Sequence, residues 1–148
     1  GTNLYEEVVH VPMFLLAPGL EGGQVVASQI RTIDLFPTLF DLLGLSHPPV
    51  TGLSLLPVLN GEPMQLVGFS ETQYRLFTHK SAVVTPDHRY KFILTHDTGQ
   101  QELYDLMENP KEQRNLAEDE PELAATLKRQ LEEIRAGMTV PDGRPPGR

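Results

Sequence analysis

The first strongly apolar segment of the chain is VPMFLLA, from Val11 to Ala17, in which polar and apolar residues do not alternate. A run of this kind, closed by Pro18 and Gly19, is typical of a central strand in a parallel sheet that helices cover on both faces. It is far shorter than the ~20 residues that a membrane span needs. The pattern predicts a buried strand, and its neighbouring strands are not evident in the rest of the chain.

The next segment, residues 32–44, has helical spacing. Its apolar positions form one broad face: Leu35, Phe36, Leu39, Phe40, Leu42 and Leu43. Thr32 or Asp34 can cap the helix start, Pro37 fits its first turn, and Gly44 is a natural C-terminal stop. Because the helix is apolar on most sides, it is predicted to be largely buried.

A connector rich in Pro and Gly, residues 47–63, separates this helix from a region with strand signals. The predicted strands are LVGFSET, SAVVT, YKFILTH and QELYDL. Turns are expected at Pro86-Asp87 and at Asp97-Thr98-Gly99, where Gly suits a positive φ. These spacings favour an antiparallel meander.

The last element is predicted to be an amphipathic helix. Asp119 and Glu122 have capping-box spacing, Pro121 falls in the first turn, and Gly137 ends the pattern. One narrow apolar stripe follows the helix: Leu123, Leu127, Leu131 and Ile134. The helix is therefore expected to lie on a surface with its charged face in solvent, before a tail without pattern.

Composition restricts the class of protein. The 148 residues are one domain's worth, and the 39% that are hydrophobic can supply a core. Twenty acidic residues against twelve basic ones give a net charge of −8, which argues against nucleic acid or an anionic membrane as the main partner. The absence of Cys excludes disulfides, thiolate metal sites and a cysteine nucleophile within these residues.

Residues that could carry chemistry are few. None of the five His lies at a metal-ligand spacing such as H-x-H or H-E-x-x-H, so surface or packing roles are expected for all of them. Asp97 is expected in a hairpin turn, Ser46 in a loop, and Gly22-Gly23 in a linker. The residues alone predict no nucleophile, no acid–base pair and no metal site.

One segment has a possible binding role. Residues 71–80, ETQYRLFTHK, bring Tyr74, Arg75 and His79 close together in sequence without clear periodicity, and Lys80 follows them. Such donors could line a cleft for an anionic substrate, whereas a solvated strand edge is the alternative that the pattern favours. Taken alone, the residues predict an incomplete α/β fragment with an α+β appendage.

Four stretches together resemble the C-terminal part of a sulfatase, a member of the alkaline phosphatase superfamily. They occur in the family's order: LYEEVVHVPMFLLAPG, IRTIDLFPTLFDLLGL, TGLSLLPVLNGE, and RYKFI followed by ELYDLMENPKEQRNLAED. Matches to the family's motifs include Tyr5-Glu6, Asp34, Pro37, Thr38, Gly52, Ser54, Lys91, Leu103 to Leu106, Pro110, Glu112 and Asn115. Two positions depart from it, with His10 where many relatives have Arg and Asn109 where Asp is usual.

The resemblance implies a fold and a division of the chain. Residues 1–62 would supply the last strand, buried helix and connector of a sulfatase-like α/β domain. Residues 63–138 would form a small antiparallel sheet packed with a C-terminal helix, an α+β subdomain, and residues 139–148 a flexible tail. The small sheet would border the substrate entrance, with Tyr74, Arg75 and His79 as the rim.

The resemblance also implies that this chain lacks the chemistry of the family. The nucleophile lies in a Cys/Ser-x-Pro-x-Arg motif matured to formylglycine, and neither that motif nor the calcium-binding Asp motifs occur here. No catalytic or metal residue is therefore assigned. The expected partner is the N-terminal part of a parent sulfatase, which would bind calcium, carry formylglycine and act on a small or polymeric sulfate ester.

Other readings stay open. The parent could be a related phosphoesterase or phosphoglycerol transferase, or the chain could be a non-enzymatic interaction module whose apolar strand and helix form an interface. In one sulfatase branch the pattern His-Gly-x-x-Leu-Tyr fits Gly1 to Tyr5, with the His expected just before Gly1. No pattern in the sequence predicts the localisation.

Overall fold

The computed structural model describes residues 3–74 and 78–138, without the side chain of Tyr74. These residues form two compact units. One combines the N-terminal residues through Val11 with the chain from Phe69 onward, and the other is Pro12–Gly68. Arg75 and the predicted tail 139–148 lie outside the described residues, and the predicted boundary after residue 62 stays a prediction.

The described elements are four helices, one 3₁₀ turn and one four-stranded sheet. The helices are α1 (Glu6–Val9), α2 (Leu35–Leu42), α3 (Leu56–Leu59) and α4 (Pro121–Gly137), and the 3₁₀ turn is Thr32–Asp34. The strands are β1 (Gly68–Tyr74), β2 (Thr78–Val84), β3 (Tyr90–Thr95) and β4 (Gln100–Asp105). Their order in the sheet is β1-β2-β3-β4, with β2, β3 and β4 antiparallel, which confirms the predicted meander.

Turn chemistry sets the two hairpins that connect β2, β3 and β4. Gly99 has φ of +74°, as the predicted positive-φ position requires. In the other turn the Asp87 carboxylate accepts hydrogen bonds from the Thr85 hydroxyl and the Arg89 N–H. His88 adopts φ of +56° there, a conformation uncommon for a residue other than Gly.

The sheet is covered on both faces. Val83, Phe92 and Leu103 are paired in register and fully buried on the face that packs against α4. The opposite face packs against the N-terminal segment in one core cluster: Leu4, Ala82, Val84, Ile93, Tyr104 and Leu106, with Tyr5 and Val9 partly buried against it. The N-terminal segment and residues 82–106 thus share one core.

Helix α4 follows the predicted stripe but not the predicted cap. Leu127 and Leu131 are buried, as is Ala124, while Leu123 and Ile134 are half-buried. The capping box predicted from Asp119 and Glu122 is wrong, because Glu120 is the N-cap and no side chain caps the helix. The Asp119 carboxylate instead pairs with Arg114 at 2.9 Å. No helix in the described part of the chain is long and apolar enough to span a bilayer.

In the Pro12–Gly68 unit, hydrogen bonds join the start of α2 to the connector that follows it. The Asp34 carboxylate accepts the Leu53 N–H at 2.9 Å and binds the Arg31 guanidinium through both oxygens. The Thr38 hydroxyl donates to the Asp34 carbonyl and accepts the Leu55 N–H. Asp34 and Thr38 are completely buried, so this network fixes the backbone of both segments.

The electrostatics of Asp34 favour its charged form. Burial alone would raise the pKa of this carboxyl, but the hydrogen bonds from Arg31 and from the Leu53 N–H outweigh burial and lower the pKa below its ordinary value. At the other end of α2, Gly44 has φ of +65°, and Leu45 N–H donates to the Phe40 carbonyl. This is the Gly-terminated stop that the sequence predicts.

Two predictions for this unit are wrong for the chain taken by itself. Residues 11–17 belong to no strand, and Phe14 and Leu16 are 92% and 96% exposed. Helix α2 buries only Pro37 and Thr38. A central strand needs a neighbour on each side for its backbone hydrogen bonds, and a broad apolar helix face needs a surface to cover it. The described residues supply neither to this segment.

Gly52→Ala is predicted to destabilise the Pro12–Gly68 unit. A Cβ at position 52 would overlap the Ile33 carbonyl oxygen and lie 2.7 Å from the Ile33 carbonyl carbon, which is backbone and cannot rotate away. Overpacking of this kind costs about 1–3 kcal/mol. Hydrogen exchange of the Leu53 and Leu55 N–H groups should become faster. Gly22→Ala is the control, because its Cβ meets nothing within 4 Å, and equal protection in both variants would contradict the prediction.

Candidate functional site

The predicted rim residues are only partly brought together. Tyr74 ends β1 and His79 lies in β2, next to β1 in the sheet. Arg75 and the side chain of Tyr74 lie outside the described parts of the chain. His79 has a side chain that is 14% exposed and already has partners, so its surroundings are the first candidate site.

A polar group that we call the Glu71 cluster surrounds His79. Its members are Glu71, His79, Ser81, His96 and Arg135. The Glu71 carboxylate accepts hydrogen bonds from His79 Nε2 at 3.1 Å, from Ser81 Oγ at 3.0 Å and from Arg135 Nε at 2.9 Å. His96 Nε2 lies 2.9 Å from Ser81 Oγ, and the two imidazole rings are 4.3 Å apart. The cluster connects β1, β2 and the residue after β3 to the last turn of α4.

The Glu71 cluster contains Ser, His and Glu but is not arranged as a hydrolytic triad. In such a triad His lies between Ser and the carboxylate, whereas here Ser81 lies between His96 and Glu71. The single hydroxyl proton of Ser81 goes to Glu71, so His96 Nε2 is left to donate to Ser81 Oγ. Ser81 is completely buried, and a hydroxyl without exposed surface cannot attack a substrate.

Opposite charges face each other inside the Glu71 cluster. Burial would raise the pKa of Glu71, but hydrogen bonds from His79, Arg135 and Ser81 more than offset burial and lower that pKa. Burial also lowers the pKa of His96, and the positive charge of Arg135 acts in the same direction. One carboxylate thus faces one guanidinium, with His96 neutral near pH 7. This arrangement ties α4 to the sheet.

A second polar group, the Lys91 cluster, lies where the N-terminal segment meets the sheet. Its members are Glu6, His10, His88, Lys91 and Glu112. Lys91 is completely buried, with Nζ 2.8 Å from Glu6 Oε1 and 3.0 Å from Glu112 Oε1. The Glu6 N–H donates to Glu112 Oε2 at 2.6 Å. His10 Nδ1 and His88 Nε2 lie 3.6 Å and 3.4 Å from Glu6 Oε2.

A third buried carboxylate lies on the same face of the sheet. The hydroxyls of Tyr5 and Tyr104 both donate to Glu102 Oε2 at 2.7 Å, and Lys80 Nζ lies 3.5 Å from Glu102 Oε1. The hydrogen bond to Glu102 raises the pKa of Tyr5, while burial is the main cause of the raised pKa of Tyr104. Both phenols therefore stay protonated and act as donors.

The residues after β4 complete the edge of the sheet. Asn115 Oδ1 accepts the Leu103 N–H at 2.8 Å, and Asn115 Nδ2 donates to the Gln101 carbonyl at 3.0 Å. One side-chain amide thus pairs with the strand backbone as a neighbouring strand would. Asp105 accepts the guanidinium of Arg89 and the N–H groups of the turn after β4. These contacts fix the edge of the sheet and the turn after β4.

A family described as "N-sulphoglucosamine sulphohydrolase, C-terminal" matches residues 2–137. This chain belongs to that family of sulfatase C-terminal domains. The match covers both compact units and all of the described elements. The expected α/β fold of a sulfatase end with a small antiparallel sheet and a closing helix is confirmed.

Individual relatives agree with the family. This chain is 29% identical over 143 residues to "Arylsulfatase K" of Mus musculus, and 32% identical over 126 residues to "Delta 4,5-hexuronate-2-O-sulfatase" of Bacteroides thetaiotaomicron. These alignments cover 89% and 79% of this chain but 26% of each relative. The chain thus spans about a quarter of the length of the relatives that it matches.

Solved structures show the same fold. A putative sulfatase from Bacteroides fragilis superposes with a TM-score of 0.61 at 27% identity, and one from Bacteroides thetaiotaomicron with a TM-score of 0.56 at 30% identity. Each superposition covers 70% of this chain and 24% of the other. The expectation that the chain is the C-terminal portion of a sulfatase is confirmed.

Most residues of the two clusters were missed by sequence reasoning. The carboxylate of Glu71 and the guanidinium of Arg135 are 64 positions apart in sequence, and Glu6 is 85 positions from Lys91. Linear spacing rules do not reach such distances. A charged residue inside a strand pattern was the available signal, as for Lys91 in YKFILT.

The compact unit that contains the sheet is called the sheet unit. Its stability is predicted to fall as the pH drops below about 6.5, the ordinary pKa of His. The folded state lowers the pKa of His96, so between the two pKa values the unfolded chain binds more protons and is favoured. His96→Gln keeps an N–H that can donate to Ser81 and does not titrate. Its unfolding midpoint should therefore decrease less than that of the wild type between about pH 7.5 and pH 5.5.

His47→Gln is the matched control for this measurement, because His47 lies in the other unit, against Phe36 and Phe40. Glu71 affects stability in a separate and more acidic window, because its lowered pKa lies below the ordinary 4.5 of a Glu. If His96→Gln and His47→Gln lose the same stability as the wild type, His96 does not cause the acid sensitivity.

Proposed function

We propose that this chain completes the catalytic domain of a sulfuric ester hydrolase whose nucleophile and metal site lie in a preceding part of the same protein. The observation that carries the proposal is the match of residues 2–137 to the C-terminal family, while each relative is about four times as long. In this proposal residues 11–17 join the central sheet of the parent, and α2 covers it.

The exposed apolar side chains support this role. Phe14, Leu16 and Val25 are 92%, 96% and 93% exposed, and Leu43 is 70% exposed. Phe14 and Leu16 lie two positions apart in one segment, and neighbouring large apolar side chains that are exposed are typical of an interaction surface. Residues 11–17 also have the unbroken apolar pattern of a strand buried on both faces. The preceding part of a sulfatase domain is the partner that would use both features.

The cofactors of the parent would also lie outside this chain. Calcium takes 6–8 oxygen ligands, and the candidate ligand group that the described residues form contains two imidazoles, so this group does not fit calcium. The sequence contains no Cys and no Cys/Ser-x-Pro-x-Arg motif from which formylglycine could form. In the parent, the formylglycine hydrate would supply the nucleophile and calcium would stabilise charge on the sulfate group.

We infer a sulfated uronate-containing glycan as the substrate class. Two relatives carry names of this kind, "Delta 4,5-hexuronate-2-O-sulfatase" and "a 2-O GAG sulfatase", at 32% and 29% identity. The family description names N-sulphoglucosamine, a second sulfated sugar. We prefer the 2-O-sulfated uronate because the relative named for it is 32% identical to this chain, whereas "Arylsulfatase K" of Mus musculus is 29% identical.

The parent protein is predicted to release sulfate from a 2-O-sulfated unsaturated uronate disaccharide in the presence of calcium. It would be produced together with a formylglycine-generating enzyme, and sulfate release would be compared among 2-O-, 6-O- and N-sulfated disaccharides. The 148-residue chain alone should release none, since it lacks the nucleophile. Hydrolysis of a phosphate ester without release of any sulfate would overturn the proposal in favour of a related phosphoesterase.

The rim proposal concerns Tyr74, Arg75 and His79. In the parent, Arg75→Ala should raise KM for the sulfated disaccharide about tenfold with little change in kcat, because a charge-assisted hydrogen bond to an anion contributes about 1.5–3 kcal/mol to binding. Arg129→Ala, in an exposed position on α4, is the control. An unchanged KM for Arg75→Ala would remove Arg75 from the rim.

A further inference from the structure

We infer that Glu6, His10 and His88 form a binding site for a divalent zinc-like cation at the junction of α1 and the β2–β3 turn. Each of the three side chains offers one ligand atom, and these atoms all lie within 4.8 Å of one another. Glu6 Oε2 is 3.6 Å from His10 Nδ1 and 3.4 Å from His88 Nε2. The sequence predicted no metal site because the ligands come from segments far apart in sequence.

The two separations from Glu6 Oε2 agree with tetrahedral coordination. Two ligands about 2.0–2.1 Å from a zinc ion, at a tetrahedral angle, lie about 3.3–3.4 Å from each other. The two separations from Glu6 Oε2 are close to this value, and the two imidazole nitrogens, which lie within 4.8 Å of each other, would move toward each other when an ion binds. A fourth position would go to water, since the side chains of His10 and His88 are 68% and 43% exposed.

The central ligand is held in place before any metal binds. Lys91 fixes Glu6 Oε1 at 2.8 Å, and Glu112 accepts the Glu6 N–H, so Oε2 is the oxygen directed toward the two imidazoles. His88 lies in a turn with φ of +56°, whose backbone is fixed by hydrogen bonds within the turn. His10 follows α1 by one residue, four positions after Glu6.

Charge also favours a cation. Glu6 and Glu112 carry two negative charges and Lys91 one positive charge, so the Lys91 cluster has a net charge of −1 when both imidazoles are neutral. A divalent cation at Glu6 Oε2 would change the net charge of the cluster from negative to positive. Lys91 would keep its contact with Glu6 Oε1. Two imidazole nitrogens and one carboxylate are ligands for Zn²⁺ and other late first-row divalent ions, whereas calcium and magnesium prefer oxygen.

A bound ion would fasten the N-terminal segment to the sheet. His88 belongs to the turn between β2 and β3. Glu6 is the first residue of α1, and His10 directly follows that helix. The ion would thus connect residues about eighty positions apart in one unit. The three ligands come together only in the folded state. A bound ion should therefore stabilise the sheet unit against unfolding.

Titration of the 148-residue chain with zinc chloride, followed by calorimetry and by the unfolding midpoint, tests the site. One equivalent should bind and raise the midpoint. His10→Gln and His88→Gln should each weaken binding at least as much as loss of a group that hydrogen-bonds a metal ligand, which costs about 10–100-fold in affinity. His47→Gln, which changes a His of the other unit, should bind as the wild type does.

A spectroscopic readout covers the case in which a variant folds poorly. In the NMR spectrum of the wild type, zinc should shift the imidazole resonances of His10 and His88 and leave those of His47 in place. Calcium chloride added instead should shift none of them. Absence of zinc binding, an equal loss of affinity in His47→Gln, or uniform shifts of all five His would each overturn the site.

Discussion

A completely buried lysine is the constraint on which the sheet unit depends. Lys91 lies on a core-facing position of β3, where desolvation of its ammonium group is costly unless carboxylates surround it. Glu6 supplies one carboxylate and Glu112 the other, and the contact to Glu112 is an ion pair rather than a directed hydrogen bond. The buried charge of Lys91 is therefore tolerated only when the N-terminal segment, β3 and the loop before α4 come together.

This constraint also gives residues of the family's motifs a structural part in the fold. Glu6 comes from the Tyr-Glu stretch, Lys91 from the Arg-Tyr-Lys stretch and Glu112 from the stretch that follows Leu-Tyr-Asp-Leu. The first and the last of the four recognisable stretches thus meet at one ion-paired group. Glu112 adopts φ of +52° to reach it, a backbone conformation that costs energy in a residue other than Gly. The three side chains thus join the N-terminal segment, β3 and the loop before α4.

Local rules predicted what local interactions decide. Gly99 lies in a hairpin turn and Gly44 ends a helix, both at positive φ as expected. Helix α4 buries Leu127 and Leu131 of its predicted stripe. Burial of residues 11–17 was predicted wrongly for this chain, because a periodic pattern states what a segment needs and not whether the chain supplies it. The Glu71 and Lys91 clusters were not predictable, because their members are brought together only by the complete topology of the sheet.

The two compact units hold their backbones in different ways. The sheet unit buries apolar side chains on both faces, whereas in the Pro12–Gly68 unit a buried hydrogen-bond network around Asp34 and Thr38 fixes α2 and its connector while Phe14 and Leu16 stay exposed. Hydrogen bonds to backbone N–H groups set the position of a segment without consuming its apolar surface. The apolar face of α2 is therefore held in a defined geometry and remains available for contact, which is what a segment that covers the sheet of a larger domain requires.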